Sequence, residues 1–492
     1  MVQYVDDVYG TVCKLLALKE CSQDATSESL YSIIQTEILN QELSHNLIAL
    51  VSDGAKVMNG AHNSLLQKIK TSHPYIWYLH CICHCLHLTA SKASEQFPEF
   101  VLEFVSKAYQ HFSYSPKRIA TFANIQEKMN FKVKKILRAG KTRWLSLEAA
   151  IKRLLDLWDP LEAYYKEDPK ENVLLKPIEN KVIKIYLQFL SIFLEKVNSV
   201  NQYFQREVSE VFEIKNQLMK VFTGFSNHIF KPSIKVKDEI KLVDPVTRFN
   251  LNLNQNIDEY LLTPREMFEH FKLVFKNVID IDILEEKDQK TVCKDFQKFI
   301  LQILKGLKKY LPFDDVIISR ISTLDSEKFD SQYWIDLVQT FPNIVSSQEF
   351  HQVYDELSNW TLDLQRLKEE KEKYTKNSKF DAIQFYNDVR IKQSYPLMSK
   401  LGRAILSMPH SGAAIERVFS QLKIIKNERR NCLQNETLES LLISKVNDID
   451  LSDKQTFNKI FNVYEKKNSD LKRKRSAFSE SVNEGNISIK II

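Results

Sequence analysis

Glycine and proline are scarce in this chain, with 9 and 13 copies in 492 residues. That scarcity excludes collagen-like, linker-dominated and turn-rich all-β architectures and points to a helix-rich protein. Long apolar runs are also missing. The most apolar stretch, residues 76–90, is short and carries His80, His84 and His87, so it cannot span a bilayer and no membrane partner is expected. The opening residues, Met1-Val2-Gln3-Tyr4-Val5-Asp6-Asp7, lack a basic segment followed by an apolar one, so no signal peptide is expected. The seven cysteines, Cys13, Cys21, Cys81, Cys83, Cys85, Cys293 and Cys432, are odd in number and clustered. They do not form a disulfide framework, and the expectation is an intracellular, reduced chain.

What is present fits a globular protein of two or three domains, with 43% hydrophobic and 27% charged residues. The net charge of +6 is mild, but its placement is uneven. Lys128, Lys132, Lys134, Lys135, Arg138, Lys141 and Arg143 fall within one stretch that holds no acid. Residues 466–475 carry six basic residues and one acid, Asp470. Such runs suit a polyanion partner, and solvated helix faces are an equally good reading of either run alone.

The first segment reads as mixed α/β. Residues 2–5 and 11–18 suggest a hairpin about Gly10, residues 27–38 and 61–69 have helical periodicity, and residues 47–51 and 75–81 suit buried strands. From Ser146 the pattern becomes helical, with long amphipathic stretches at 177–204, 299–311 and 334–341. The charged segment 364–380 reads as a solvated helix or linker, and the polar tail as disordered. No internal repeat is evident.

Several motifs could carry chemistry. Asp53 follows a buried strand and precedes Gly54, where sheet crevices open, although Asp-Gly is also a common turn. Six potential metal ligands lie between His80 and His87, but the spacing is poor for zinc, which usually joins two separated ligand pairs. Trp144 beside Arg143 could stack on a base or simply be core. Glu416 lies off the apolar face formed by Ala414, Ile415, Val418, Phe419, Leu422 and Ile425, so it could be an ordinary surface glutamate. Leu438, Leu441, Leu442 and Val446 form a further amphipathic stripe, which taken alone is more often core than a dimer seam.

Together these segments resemble the hAT (hobo/Activator-type) transposases. The resemblance is carried by His410-Ser411-Gly412-Ala413-Ala414-Ile415-Glu416-Arg417-Val418-Phe419-Ser420, by Ser52-Asp53-Gly54-Ala55-Lys56, by the Cys-x-x-His element Cys81 and His84, and by Thr142-Arg143-Trp144-Leu145-Ser146. It covers residues 1 to about 448. It implies an α/β plus all-α fold: an RNase H-like mixed sheet, lacking its first strand, interrupted by a large helical insertion. Its domains would be residues 1–145 (the N-terminal part of the RNase H-like domain), 146–390 (the all-α insertion), 391–450 (its C-terminal part with the dimerisation region) and 451–492 (a basic, disordered tail).

The same resemblance implies roles. Asp53 and Glu416 match two positions of an Asp-Asp-Glu triad, and they would hold a divalent ion, Mg²⁺ or Mn²⁺, only if the site were intact. Cys81 and His84 would lie beside it. Arg143, Trp144, Lys134, Lys135, Arg138 and Lys141 would contact duplex DNA. Val418, Phe419, Leu422, Leu438, Leu441 and Leu442 would build a self-association surface. Two-metal phosphodiester chemistry needs a carboxylate bridging ions about 4 Å apart. The family's first Asp lies on a strand expected before residues 2–5, and Asp6 and Asp7 sit past that strand. The expectation is therefore a catalytically inactive, transposase-derived protein that dimerises and binds DNA, without the family's N-terminal BED finger. An active transposase with an incomplete N-terminus and an interaction scaffold without DNA binding are the alternatives. Leu471-Lys472-Arg473-Lys474-Arg475 reads as a nuclear import signal, which would place the protein in the nucleus.

Overall fold

The computed structural model describes residues 1–7, 9–21, 25–40, 42–139, 144–167, 174–206, 211–236, 239–322, 330–376, 379–426 and 433–447. The expected disordered tail, including the basic run 471–475, lies outside them. The chain divides into two compact units. The larger holds Gln3–Cys13 and Cys21–Glu416, and the smaller holds Met1–Val2, Lys14–Glu20 and the chain from Arg417 onward.

The larger unit begins as the residue pattern leads one to expect. Strands β1 (Val2–Asp6) and β2 (Gly10–Lys14) pair as a hairpin. Strands β3 (Ala49–Ser52) and β4 (Trp77–His80) pair in parallel, with Ala49 opposite Trp77 and Ser52 opposite His80. Both faces of this pair are covered. Ala49, Val51, Trp77 and Leu79 join the main core, while Leu50 and Tyr78 meet a smaller cluster around Leu65, Leu66, Ile69 and Ile76. Burial on both faces is what parallel strands require, and it explains their apolar composition.

Helix starts follow capping chemistry. The periodicity from residue 61 becomes a helix only at Leu65–Ser72, because Ser64 accepts the Gln67 N–H and Asn63 before it is left-handed at φ 51°. The expected helix 27–38 is Ser27–Ile34, capped by Thr26, and continues as a π-helical turn, Gln35–Leu39. The β1–β2 and β3–β4 pairs remain separate two-stranded sheets among the described residues.

The rest of the larger unit is mainly helical. Two long helices, Lys181–Phe204 and Glu286–Tyr310, meet over an aromatic cluster. Phe189 stacks on Phe296 at 3.7 Å and on Phe193 at 4.3 Å between ring centroids. Tyr186 in the same cluster donates its hydroxyl to Asp295 Oδ2 at 2.7 Å, which keeps the buried phenol partnered. Helix Ile82–Ser94 lies along Glu286–Tyr310. Their approach is close at Gly306, where an added Cβ would stand 2.8 Å from Thr89 Cγ2. One apolar core runs through these elements from Ile48 to Met408.

The region after Ser146 is not purely helical. Strands β5 (Ser233–Val236) and β6 (Glu239–Leu242) form an antiparallel hairpin within it. Ile234 alternates with lysines there, a period of two that a helical reading misses. The charged segment after residue 364 is a helix, Leu364–Lys373, followed by the short hairpin of β7 (Thr375–Lys376) and β8 (Lys379–Phe380).

Among the described residues, the core of the smaller unit is Leu15, Val418, Ile425, Leu438 and Leu442. They come from Lys14–Glu20 and from helices Ala413–Ile425 and Asn435–Val446. Polar groups tie the short N-terminal segment in. Asn447 Oδ1 accepts the Leu15 N–H at 2.7 Å and its Nδ2 donates to Leu15 O at 3.0 Å. Glu439 Oε1 accepts the Leu18 N–H at 2.9 Å.

Candidate functional site

Asp53 stands just past the carboxyl end of β3, exposed, in a turn that its own Oδ1 stabilises by accepting the Ala55 N–H at 3.1 Å. Gly54 is left-handed at φ +74°, and a Cβ there would fall 2.3 Å from His80 Nε2. Position 54 therefore needs glycine on both counts. His80, at the end of β4, donates Nε2–H to Asp53 O at 2.7 Å. Its pKa is lowered because burial disfavours the imidazolium, although that hydrogen bond opposes the shift. Ser52 Oγ and the Tyr78 hydroxyl pair at 2.8 Å. The turn is thus held to β4 through the Asp53 carbonyl and through its neighbour Ser52.

A relay of main-chain donors runs from this turn towards Glu416. Cys81 N–H donates to Ser52 O at 2.8 Å. Cys81 Sγ accepts the Gly412 N–H at 3.1 Å. Gly412 O accepts the Glu416 N–H at 3.1 Å in the first turn of helix Ala413–Ile425. Ser411 fixes the approach to that helix by donating to Phe204 O at 2.6 Å. Glu416 is exposed, and its carboxylate acts electrostatically on Cys83. The Cys81 thiol is lowered because the Cys83 thiol donates to it, helped by Gly412 N–H. Cys83 is pushed up because its proton is held by Cys81 and because it is buried, with Glu416 adding to the same direction.

The structure therefore brings Asp53, Cys81 and Glu416 onto one connected framework within the larger unit. His84 lies close to His80, 5.6 Å between ring centroids. Among the described residues, no group of three or more His, Cys, Asp or Glu side chains converges as a metal site. Cys83 and Cys85 are buried in the core.

Asp7 is committed elsewhere. Its Oδ1 pairs with Lys392 Nζ at 2.7 Å and with Arg403 at 2.6 Å. Its pKa is lowered, first by the Lys392 hydrogen bond and then by the Arg403 charge. Asp6 Oδ1 accepts the Tyr9 N–H at 3.0 Å and so shapes the hairpin turn.

The basic stretch is not a helix face past Asn130. Residues 131–139 run as irregular chain, pinned by the buried Gln126, whose side chain accepts the Lys134 N–H at 2.9 Å and donates to Lys134 O at 3.2 Å. Arg153 donates to Lys135 O at 2.7 Å. Lys132, Lys135 and Arg138 are exposed. Lys134 pairs with Asp156 at 3.0 Å. Lys141 and Arg143 lie outside the described residues, as does the side chain of Trp144.

The six apolar residues expected to mediate self-association are divided by the structure. Val418, Leu438 and Leu442 are interior to the smaller unit, and Leu422 packs against them. Phe419 is 49% exposed and Leu441 42% exposed. Ile424, which the apolar pattern did not single out, is 60% exposed. The sequence reading also missed Gly412 as the donor to Cys81. It missed Glu356 as well, a buried carboxylate that accepts the N–H groups of Leu397 and Met398 at the start of helix Pro396–Leu406. Only the small residues before Ala413 hinted at the former.

Residues 362–447 match the family model described as the hAT family C-terminal dimerisation region. The chain is also similar to a putative transcriptional regulator, tpeD, of Talaromyces stipitatus, at 20% identity over 463 residues, covering 87% of this chain and 49% of that protein. It thus spans about half the length of this curated relative. The helices Ala413–Ile425 and Asn435–Val446 fall inside the matched segment, so this C-terminal region is of the hAT dimerisation type.

Proposed function

We propose that this is a transposase-derived protein of the hAT type that self-associates through its C-terminal region, binds duplex DNA and does not cleave it. The dimerisation-region match over residues 362–447 carries the reading. An RNase H-like arrangement is its structural counterpart: Asp53 after a buried parallel strand, and Glu416 in the first turn of a helix joined to that strand through Cys81 and Gly412. The carboxylates support the absence of cleavage: among the described residues no third carboxylate converges on Asp53 and Glu416, and Asp7 is paired with Lys392 and Arg403. Lys132, Lys135 and Arg138, with Lys141, Arg143 and Trp144, form the DNA contact, and residues 471–475 direct the chain to the nucleus. The similarity to a putative transcriptional regulator fits DNA binding without transposition.

A second reading is metal-dependent strand cleavage. It is favoured by the exposure of both Asp53 and Glu416 in the same unit. One assay separates the two. Purified protein is incubated with supercoiled plasmid and Mg²⁺ or Mn²⁺. The proposal expects no nicking above background, and nicking that Asp53→Asn abolishes would overturn it. Binding to a duplex should weaken steeply with salt and lose part of its salt slope in a Lys132→Gln, Lys135→Gln variant. Salt-independent binding, or none, leaves the interaction-scaffold reading.

A further inference from the structure

A cleft of about 600 Å³ opens between the end of helix Ile82–Ser94, the last turns of Glu286–Tyr310 and the loop after Asn250. Lys92, Lys305, Lys308 and Lys309 line it, and no acidic residue does. Lys305, Lys308 and Lys309 are neighbours on one helix face, where like charges repel. None of the four makes an ion pair among the described residues. Glu95, at the end of helix Ile82–Ser94, is an acid whose charge Lys92 feels.

Lys308, Lys92 and Lys309 are held rather than loose. Lys308 Nζ donates to Phe249 O at 2.7 Å and Leu251 O at 3.1 Å, and lies over the Phe249 ring at 5.1 Å. Lys92 and Lys309 flank the Tyr310 ring at 5.9 and 5.3 Å. Asn250, Asn252, Asn254 and Gln302 are the other polar residues of the lining. Clefts lined by one sign of charge focus their field on whatever enters. The volume lies within the range of small-molecule sites, roughly 300–1,000 Å³.

We propose that this cleft binds a compact anion made of two or three linked phosphate groups. Four lysines gathered around one cavity suit a short, highly charged ligand, whereas a nucleic-acid backbone is better met by cations spread along a surface. Carboxylate ligands of the same size carry less charge and match the site less well. A nucleoside triphosphate and inorganic polyphosphate share the required chemistry.

The test is calorimetric titration of the full chain with sodium tripolyphosphate in low-salt, magnesium-free buffer. We expect saturable one-to-one binding, weakened at least 10-fold by the pair Lys305→Gln and Lys309→Gln. Lys276→Gln, at an exposed lysine outside the cleft, should bind unchanged. Each single variant, Lys305→Gln or Lys309→Gln, should show part of the loss, so a folding defect in the double variant does not hide the result. Adenosine triphosphate should compete; tighter binding than tripolyphosphate identifies a nucleotide as the source, and equal binding identifies the phosphate chain. Absence of saturable binding, or binding that all the lysine variants retain, overturns the proposal.

Discussion

The two units solve the burial problem differently. The larger surrounds Phe189, Phe193, Phe271 and Phe296 with side chains from several helices, and each of these rings is essentially free of solvent. The smaller has five buried apolar residues among those described and leaves Phe419, Ile424 and Leu441 at its surface. A core that small supplies little stability alone, and a small unit commonly gains the rest by association. The difference shows where to look for a partner: the exposed Phe419, Ile424 and Leu441 lie in the segment that matches the hAT dimerisation region.

The largest effect should come from the larger unit. Phe296→Ala removes a ring stacked at 3.7 Å on Phe189 and should cost about 3–5 kcal/mol, read as a fall in the main denaturation midpoint. Leu442→Ala should cost somewhat less, about 2–5 kcal/mol, and the loss should be local. Hydrogen exchange should speed up along Asn435–Val446 while Lys181–Phe204 stays protected. If both helices lose protection together, the units are not energetically separate and the comparison fails.

The third effect is a pH dependence confined to the larger unit. His228 Nε2 meets Lys196 Nζ at 2.7 Å, and its Nδ1 meets His270 Nε2 at 3.1 Å. Phe193 and Phe275 pack against its ring. Burial, then the Lys196 and His270 charges, lower its pKa to about 3. The unfolded chain binds a proton below about pH 6.5, while folded His228 stays neutral down to about pH 3. Stability is therefore full above pH 6.5 and falls as pH drops, by about 1 kcal/mol per pH unit. Melting curves from pH 7 to pH 5 should show this slope, and His228→Gln should reduce it, with the remainder from His80 and His270, whose pKa values burial also lowers. The smallest effect is expected at Lys134→Gln. Breaking its exposed pair with Asp156 should cost at most about 1 kcal/mol, with a melting temperature nearly unchanged.

Much of the local structure was legible in the sequence. Apolar runs ending at Asp53 and at Cys81 marked β3 and β4, and periodicity marked the long helices. The hairpin β5–β6 was not, because four-residue strands within a helical region give too short a pattern. The linkage of Cys81 to Gly412 joins residues 331 positions apart through a main-chain donor, and no side-chain pattern records such a bond. The apolar stripe of Ala413–Ile425 was visible, but periodicity cannot say which half faces its own unit. Only the positions of Leu15 and Leu438 decide that Val418 is interior and Phe419 is not. Asp7 shows the same limit, since its fate depends on Lys392 and Arg403, far along the chain.

Self-association through the smaller unit is tested by sedimentation velocity of the full chain at tens of micromolar, beside variants Phe419→Asp and Leu441→Asp. A dimer is expected for the native sequence and monomers for the two variants, with helix content unchanged because neither side chain is part of the core. A monomeric native chain, or a dimer that survives both substitutions, would contradict that expectation.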